Sequence, residues 1–339
     1  MRMNGIFTGK KVLITGGTGT IGSQLLKHIL LDNPAIVRIF SRDEHKQFEL
    51  QQQFREHSNI RYLIGDVRDY TRVLRALEDI DYVFHTAAMK HVPSCEYNPF
   101  EAVQTNVIGT QNIIQSALYN GVKKVLFTST DKAISPTNTY GATKLTAERL
   151  VSAAQTQKGP KETIFTSVRF GNVMGSRGSV IPLFKQQILE KGFITVTDIN
   201  MIRYMMTPQQ AISLMLKACD MAQGGEVFVL KMPIIRLIDL IEVMIEELTE
   251  KYSLKNQPSV RVIGLRPGEK MYEELMSDDE VKIAYESDDM YIIPSSFMEG
   301  RHEYPLLSDQ HQTTYKNVQL EQPISKEVLR NWMLEENLV

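Results

Sequence analysis

The segment Lys11-Val-Leu-Ile-Thr-Gly-Gly-Thr-Gly-Thr-Ile-Gly22 constrains the fold of this chain more than any other. A short apolar run leads into Gly16, Gly19 and Gly22, spaced three apart, and an amphipathic stretch follows. Glycine permits the tight turn and lets backbone N–H groups approach a pyrophosphate, which a helix N-terminus then favours electrostatically. The pattern therefore predicts the first strand, turn and helix of a dinucleotide-binding α/β sheet. Short apolar runs and longer amphipathic stretches keep alternating after it, as βα units do. The expected strands are Lys11–Thr15, Ile36–Phe40, Ile60–Ile64, Asp81–His85, Lys123–Thr128 and Ile164–Arg169. The expected helices are Ile21–Leu31, Asp43–Glu56, Tyr70–Leu77, Pro99–Tyr119 and Thr139–Ala154. The strands read as continuous apolar runs, the mark of burial on both faces of a parallel sheet. Right-handed crossovers then give a doubly wound α/β Rossmann sheet over residues 1–170.

Beyond residue 170 the rhythm becomes irregular. Strands are expected at Thr195–Thr197, Val227–Leu230 and Val260–Ile263, and helices at Pro208–Met221 and Ile235–Thr249. This pattern predicts a smaller region, 171–339, that binds substrate over the carboxyl edge of the sheet, with some segments returning to the sheet. No internal repeat is visible. The last 40 residues are polar and weakly patterned, with a closing helix at Ile324–Glu335 carrying the only tryptophan, Trp332.

Composition narrows the function classes. With 339 residues, 42% hydrophobic and 23% charged, the chain has ordinary globular usage, unlike a disordered, collagenous or coiled-coil protein. Lys plus Arg number 38 against 40 Asp plus Glu, a net charge of −2, so nothing points to a nucleic-acid or anionic-membrane partner. Cys95 and Cys219 lie far apart in no CxxC pattern, and neither a disulfide framework nor a metal site is expected. The first ten residues do not read as a secretory signal, and no apolar run approaches the roughly 18–20 residues that span a bilayer. A cytoplasmic, soluble protein is the expectation.

Two stretches bear on chemistry directly. The second strand runs into Ser41-Arg42-Asp43. An acidic residue there grips a ribose 2′-hydroxyl, whereas an arginine accommodates a 2′-phosphate. Arg42, helped by Ser41, points to NADP rather than NAD, with Asp43 left as a diol ligand or a helix N-cap. Asp66, after the third strand, is placed to accept from an adenine amino group, and the small residues Ala87 and Ala88 after the fourth let the chain lie against the cofactor. The fifth strand enters Thr128-Ser-Thr-Asp-Lys-Ala-Ile-Ser-Pro-Thr-Asn-Thr-Tyr-Gly-Ala-Thr-Lys144. Tyr140 and Lys144 are four apart and share a helix face. An ammonium and a nicotinamide cation beside a phenol lower its pKa, so that Tyr140 can take a proton from a sugar hydroxyl as hydride leaves the same carbon.

With these residues in view, the chain resembles an extended short-chain dehydrogenase/reductase over most of its length. Thr130-Asp131-Lys132 resembles the motif of the inverting UDP-N-acetylglucosamine 4,6-dehydratases. Ala87-Ala-Met-Lys-His-Val-Pro93, Arg169-Phe-Gly-Asn-Val-Met-Gly-Ser-Arg-Gly178 and Leu265-Arg-Pro-Gly-Glu-Lys270 match the same group. The resemblance is to the short type without an N-terminal membrane-spanning region, and Tyr140, where some capsule-forming relatives carry methionine, favours the pseudaminic acid branch of polysaccharide biosynthesis. It implies a lyase with tightly bound NADP, regenerated each cycle. The substrate is oxidised at C4, water is eliminated across C5 and C6, and hydride returns to C6, with inversion at C5. Lys132, its ammonium pKa depressed by burial or nearby cations, is expected to remove the C5 proton, and Asp131 to protonate the departing hydroxyl.

The same resemblance supplies the remaining roles. Thr130, Asp131, Lys132, Tyr140 and Lys144 are the catalytic set. The cofactor set is Thr15, Gly16, Thr18, Gly19, Thr20, Ile21, Gly22, Ser41, Arg42, Asp66, Val67, Ala87, Ala88, Lys90 and Asn106, with Tyr140 and Lys144. Substrate contacts fall to Lys90, Asn172, Val180, Arg203, Arg266 and Glu269: Asn172 on the diphosphate, Arg203 and Arg266 forked onto phosphate oxygens, Glu269 on ribose hydroxyls. His91 reads as structural. A homo-oligomer, at least a dimer through the Pro99–Tyr119 and Thr139–Ala154 helices, is implied as well. Three rivals stand beside this reading: a UDP-sugar 4-epimerase, which has no use for an acid–base pair at C5 and C6; a 5,6-dehydratase returning hydride to C4; and a non-catalytic NADP-binding scaffold.

Overall fold

The computed structural model describes residues 5–295, 313–315 and 321–339. Six parallel strands form the first half: β1 (Lys11–Thr15), β2 (Ile36–Ser41), β3 (Ile60–Ile64), β4 (Tyr82–His85), β5 (Lys124–Thr128) and β6 (Ile164–Arg169). Their spatial order is β3-β2-β1-β4-β5-β6, so the chain reverses direction across the sheet between β1 and β4. Val227–Leu230 pairs parallel with β6, and Met290–Ile293 and Tyr285–Glu286 complete the edge antiparallel, making nine strands among the described residues. The crevice outside the carboxyl ends at the reversal point is where such sheets hold ligands. Val12, Leu13 and Ile14 are fully buried, as the continuous apolar run requires.

The expected helices form at Thr20–Leu30, Glu44–Gln53, Tyr70–Ala76 and Thr139–Gln157. The expected continuous helix Pro99–Tyr119 is instead interrupted. Pro99–Ala102 is α-helical, Val103–Ile108 is a π-helical turn, and Gly109–Asn120 resumes the α-helix. The wide turn presents Asn106 to the loop after β4, where its side chain accepts from Met89 N at 2.8 Å and donates to Met89 O at 3.0 Å. Local periodicity carries no trace of this, because the π turn is held by a contact 17 residues away.

The later segments build a second layer with its own apolar core, including Ile181, Phe184, Leu240, Met244, Leu329 and Met333. A small sheet joins Asn172–Val173, Ile202–Met206 and Ile234–Arg236, and Phe193–Val196 pairs parallel with Ser259–Val262. The Ile202–Met206 strand and the helix Val180–Lys191 have no counterpart in the sequence reading. The closing helix runs Lys326–Glu335, with Ser325 accepting from Val328 N as its cap. Most of the polar stretch between 296 and 320 lies outside the described residues. Among the described residues no helix is long and apolar enough to cross a membrane.

One buried ion cluster ties β6 to the Thr139–Gln157 helix and to the 275–280 segment. Arg169 at the end of β6 is fully buried and donates to Glu148 on the Thr139–Gln157 helix at 2.6 Å. It also donates to Glu280 at 2.9 Å and to Leu275 O at 2.8 Å. Removing one partner of such a cluster leaves an uncompensated buried charge, a loss of about 3–5 kcal/mol.

Candidate active site

The glycine loop occupies the reversal point. Gly16 has φ +66°, and a Cβ there would lie 2.8 Å from Ala87 Cα, so glycine is what lets the loop lie against the end of β4. A cavity of about 570 Å³ opens beside it, lined by the loop residues Gly16 and Thr18 to Gly22, by Ser41, Arg42, Asp66 and Val67, and by Ala87, Ala88 and Lys90. Thr18 and Ser41 hydroxyls meet at 2.9 Å and fasten the loop to β2. Asp43 is the N-cap of the Glu44–Gln53 helix: its carboxylate accepts from Lys46 N at 3.0 Å and Lys46 Nζ at 2.6 Å. Asp66 is buried in part, yet Arg68 and then Arg42, 3.6 Å away, hold its carboxyl below the usual range.

Two expected cofactor ligands stand behind this wall rather than on it. Thr15 is buried beneath the loop with its hydroxyl on His85 Nδ1 at 2.7 Å, and Asn106 is occupied by Met89 and by Thr143 Oγ1 at 3.0 Å. Both shape the cavity through other residues. Conversely, Lys46 and Arg177 line it without having been singled out. Arg177 donates through its backbone to Thr20 Oγ1 at 3.2 Å and through its guanidinium to Thr18 O, strapping the 175–178 segment onto the glycine loop. Its place between glycines in Gly175-Ser-Arg-Gly178 is the signal that could have marked it.

The candidate catalytic residues converge past the end of β5. Asp131–Ala133 forms a 3-10 turn capped by Thr130, and the Thr139–Gln157 helix begins directly against it. A Cβ on Gly141 would stand 2.1 Å from Lys132 O, so this glycine admits the helix to the turn and brings Tyr140 to Thr130. The Thr130 hydroxyl donates to Asp131 Oδ1 at 3.0 Å and is hydrogen-bonded to Tyr140, whose phenol is therefore the donor. Lys132 Nζ donates to the same Asp131 oxygen at 3.0 Å. A residue the sequence reading passed over, Glu273, stands 3.7 Å from Lys132 Nζ and is 3% exposed. It lies three residues past the Leu265–Lys270 motif, with nothing local to single it out.

Two electrostatic expectations are corrected. Burial pushes the Tyr140 phenol up to about 12, outweighing the charge of Lys132. Lys144 does not offset this: it is 2% exposed, sits 4.0 Å over the Phe127 ring, and is brought down to about 7 by its own burial. Lys132 moves the other way from expectation. Burial disfavours its ammonium, but Asp131 and Glu273 raise its pKa above the ordinary lysine value.

A second cavity, of about 240 Å³, is lined by Asn172, Val180, Arg203, Arg266 and Glu269. Glu269 accepts from Thr197 Oγ1 at 3.3 Å, and Arg266 lies on an exposed loop. Arg203 differs from the expected phosphate fork. Its guanidinium donates to the carbonyls of Ile202, Lys270 and Met271, each at 2.8 Å, so it holds the 270–271 segment in place.

Residues 12–295 match the model of a family described as polysaccharide biosynthesis protein. A solved structure titled Pen from Bacillus thuringiensis superposes with a TM-score of 0.92 at 57% identity, covering 98% of this chain and 99% of that one. A Campylobacter jejuni UDP-N-acetylglucosamine 4,6-dehydratase (inverting) is 42% identical over 86% of this chain and 84% of its own length. A Rickettsia massiliae UDP-glucose 4-epimerase is 39% identical over 94% of this chain and 95% of its own.

Proposed function

This chain belongs to the polysaccharide biosynthesis protein family, and from that premise we propose that it is an NADP-dependent UDP-N-acetylglucosamine 4,6-dehydratase. The observation that carries the reading is the Asp131–Lys132 pair, hydrogen-bonded through Thr130 to Tyr140. Oxidation at C4 and return of hydride to the same carbon need one proton acceptor at O4. An additional acid and base beside that acceptor suit loss of water across C5 and C6, because a C4 ketone makes the C5 proton removable as an enolate.

The large cavity fits a dinucleotide: the glycine loop leaves room for a diphosphate, and Lys90, Arg42, Lys46 and Arg177 line the walls with cations. The role of Asp43 as a helix cap leaves Arg42 to meet the adenosine ribose, which supports NADP over NAD. A nicotinamide dinucleotide held there would supply the hydride acceptor for C4 and the hydride donor for C6. Tyr140 faces the O4 proton, Asp131 the departing O6, and Lys132 the C5 proton. Residues around the second cavity hold the uridine diphosphate end. Inversion at C5, a product destined for a surface or flagellar glycan, and a homodimer also belong to this reading. Tyr97, Phe100 and Tyr119, 67–87% exposed on the Val92–Asn120 helices, support the dimer.

The test is incubation with UDP-N-acetylglucosamine in heavy water, followed by mass spectrometry and proton NMR. The expected product has lost one water and carries deuterium at C5. Unchanged mass without deuterium establishes the epimerase instead. Loss of water with a 5,6-alkene retains the residue roles and moves hydride return to C4. Cofactor binding without turnover of any UDP-sugar leaves the scaffold.

A further inference from the structure

Lys132 cannot act as a base in the arrangement just described, because an ammonium has no lone pair and two carboxylates stabilise it. Asp131 Oδ1 lies 3.0 Å from Nζ and Glu273 Oε1 lies 3.7 Å from it. Other charged or titratable groups face this cluster from each packed element: Arg203 from the Ile202–Met206 strand, Lys270 from Glu273's own segment and Tyr140 from the helix. Lys270 donates to Ile134 O at 3.0 Å and stands 3.9 Å from Glu273, beyond hydrogen-bond reach. Glu273 Oε2 is buried with no hydrogen-bond partner among the described residues. A buried carboxylate so poorly satisfied is costly as an anion and is relieved by taking a proton.

The segment carrying Glu273 is held firmly. Arg203 fixes Lys270 and Met271 on one side, and Arg169 fixes Leu275 on the other. Placement of a carboxylate beside Lys132 is therefore a built feature of the site. Resting on the dehydratase reading, we propose that Glu273 is a positioning residue that takes the proton from Lys132 and so converts it into the base for C5.

The hydrogen bonds, with the 3.7 Å Lys132–Glu273 ion pair closing by a few tenths of an ångström for the transfer, give a closed proton account. During C4 oxidation the O4 proton passes to Tyr140, that of Tyr140 to Thr130, and that of Thr130 to Asp131. Asp131 is then the acid for O6 and no longer counters Lys132. One N–H bond of Lys132 breaks and an O–H bond forms on Glu273, leaving both neutral. The lone pair on Nζ takes the C5 proton, the C5–H electrons form the C5–C6 double bond, and O6 leaves as water with the Asp131 proton. For inversion C5 takes its new proton from solvent on the opposite face, Lys132 releases the abstracted proton to solvent, and Glu273 returns its own to Lys132. Two protons enter from O4 and C5, and two leave to O6 and to solvent, which gives one back to C5.

The experiment uses the NADP-loaded protein with UDP-N-acetylglucosamine and compares wild type, E273Q and E273D between pH 7 and 9. The reduced-cofactor absorbance reports C4 oxidation; mass and C5 deuterium report elimination. In E273Q, whose amide cannot take the proton, the absorbance burst is expected within about threefold of wild type while water loss falls about 100-fold at pH 7. Solvent must then deprotonate Lys132, so elimination in E273Q climbs with pH with a logarithmic slope near one, whereas wild type stays flat. E273D keeps a carboxyl and the flat profile, and decides the matter if E273Q does not fold. Near-normal water loss in E273Q overturns the proposal, as does equal slowing of both steps with a wild-type pH profile, or a slope of one in E273D. Wild type giving product of unchanged mass overturns the dehydratase reading and this inference together; normal dehydration by both wild type and E273Q removes only the role of Glu273.

Discussion

The larger cavity takes its walls from loops that each continue a strand of one parallel sheet, whereas the smaller is closed by segments joined through distant side chains. In the first, Gly16 to Gly22, Ser41 with Arg42, Asp66 with Val67, and Ala87 with Ala88 follow β1, β2, β3 and β4 in turn. In the second, Arg203 reaches the backbone of Lys270 and Met271, and Thr197 reaches Glu269, across roughly 70 residues of chain. A cavity of the first kind is specified wherever its strands pair. One of the second kind depends on particular hydrogen bonds surviving together. Changes to the first should therefore stay local, and changes to the second should spread.

Tyr140, on the helix that starts against the Asp131–Ala133 turn, gives the largest expected effect. Tyr140→Phe should lower turnover about 100-fold or more, the scale of a lost proton-transfer group. Affinity for NADP and for the UDP-sugar, measured by calorimetry, should stay near wild type; near-normal turnover would assign the O4 proton to another group. Arg203→Ala comes next. It deprives three carbonyls of their charged donor, at a cost of about 3 kcal/mol. A lower melting temperature and a raised KM for the UDP-sugar should appear together, with NADP affinity unchanged. Equal weakening of NADP binding would erase the distinction between the cavities. Arg42→Ala should be the mildest and most local. NADP binding should weaken by about 2 kcal/mol while NAD binding and the melting temperature hardly move. Equal loss for both cofactors would refute the 2′-phosphate assignment.

The same distinction explains how much could be read from the residues alone. β1 and β6 form over the expected spans as buried parallel strands, and β3 does so at the sheet edge with only Ile60 buried; turn residues mark the ends of all three. The Asp131–Lys132 pair and Tyr140 are near neighbours in sequence, so their meeting follows from one turn and one helix start. The π turn at Val103–Ile108, the Ile202–Met206 strand and the strap made by Arg177 were missed, since each is held by a partner far along the chain. Arg203 was recognised as a site residue but assigned to phosphate, because nothing in its neighbourhood announces the carbonyls of Lys270 and Met271.

By itself, then, the sequence determined the parallel sheet, the glycine loop and the candidate proton-handling side chains. These depend on periodicity and on chemistry that each residue carries wherever it sits. The tertiary structure alone decided the protonation of that chemistry. Tyr140 is driven up by burial, Lys144 is driven down by it, and Lys132 is held charged against it by Asp131 and Glu273. Desolvation and the fields of neighbouring charges exist only once the chain has enclosed them. Glu273, more than 130 residues from Lys132 in sequence and 3.7 Å from it in space, enters the site by that route alone.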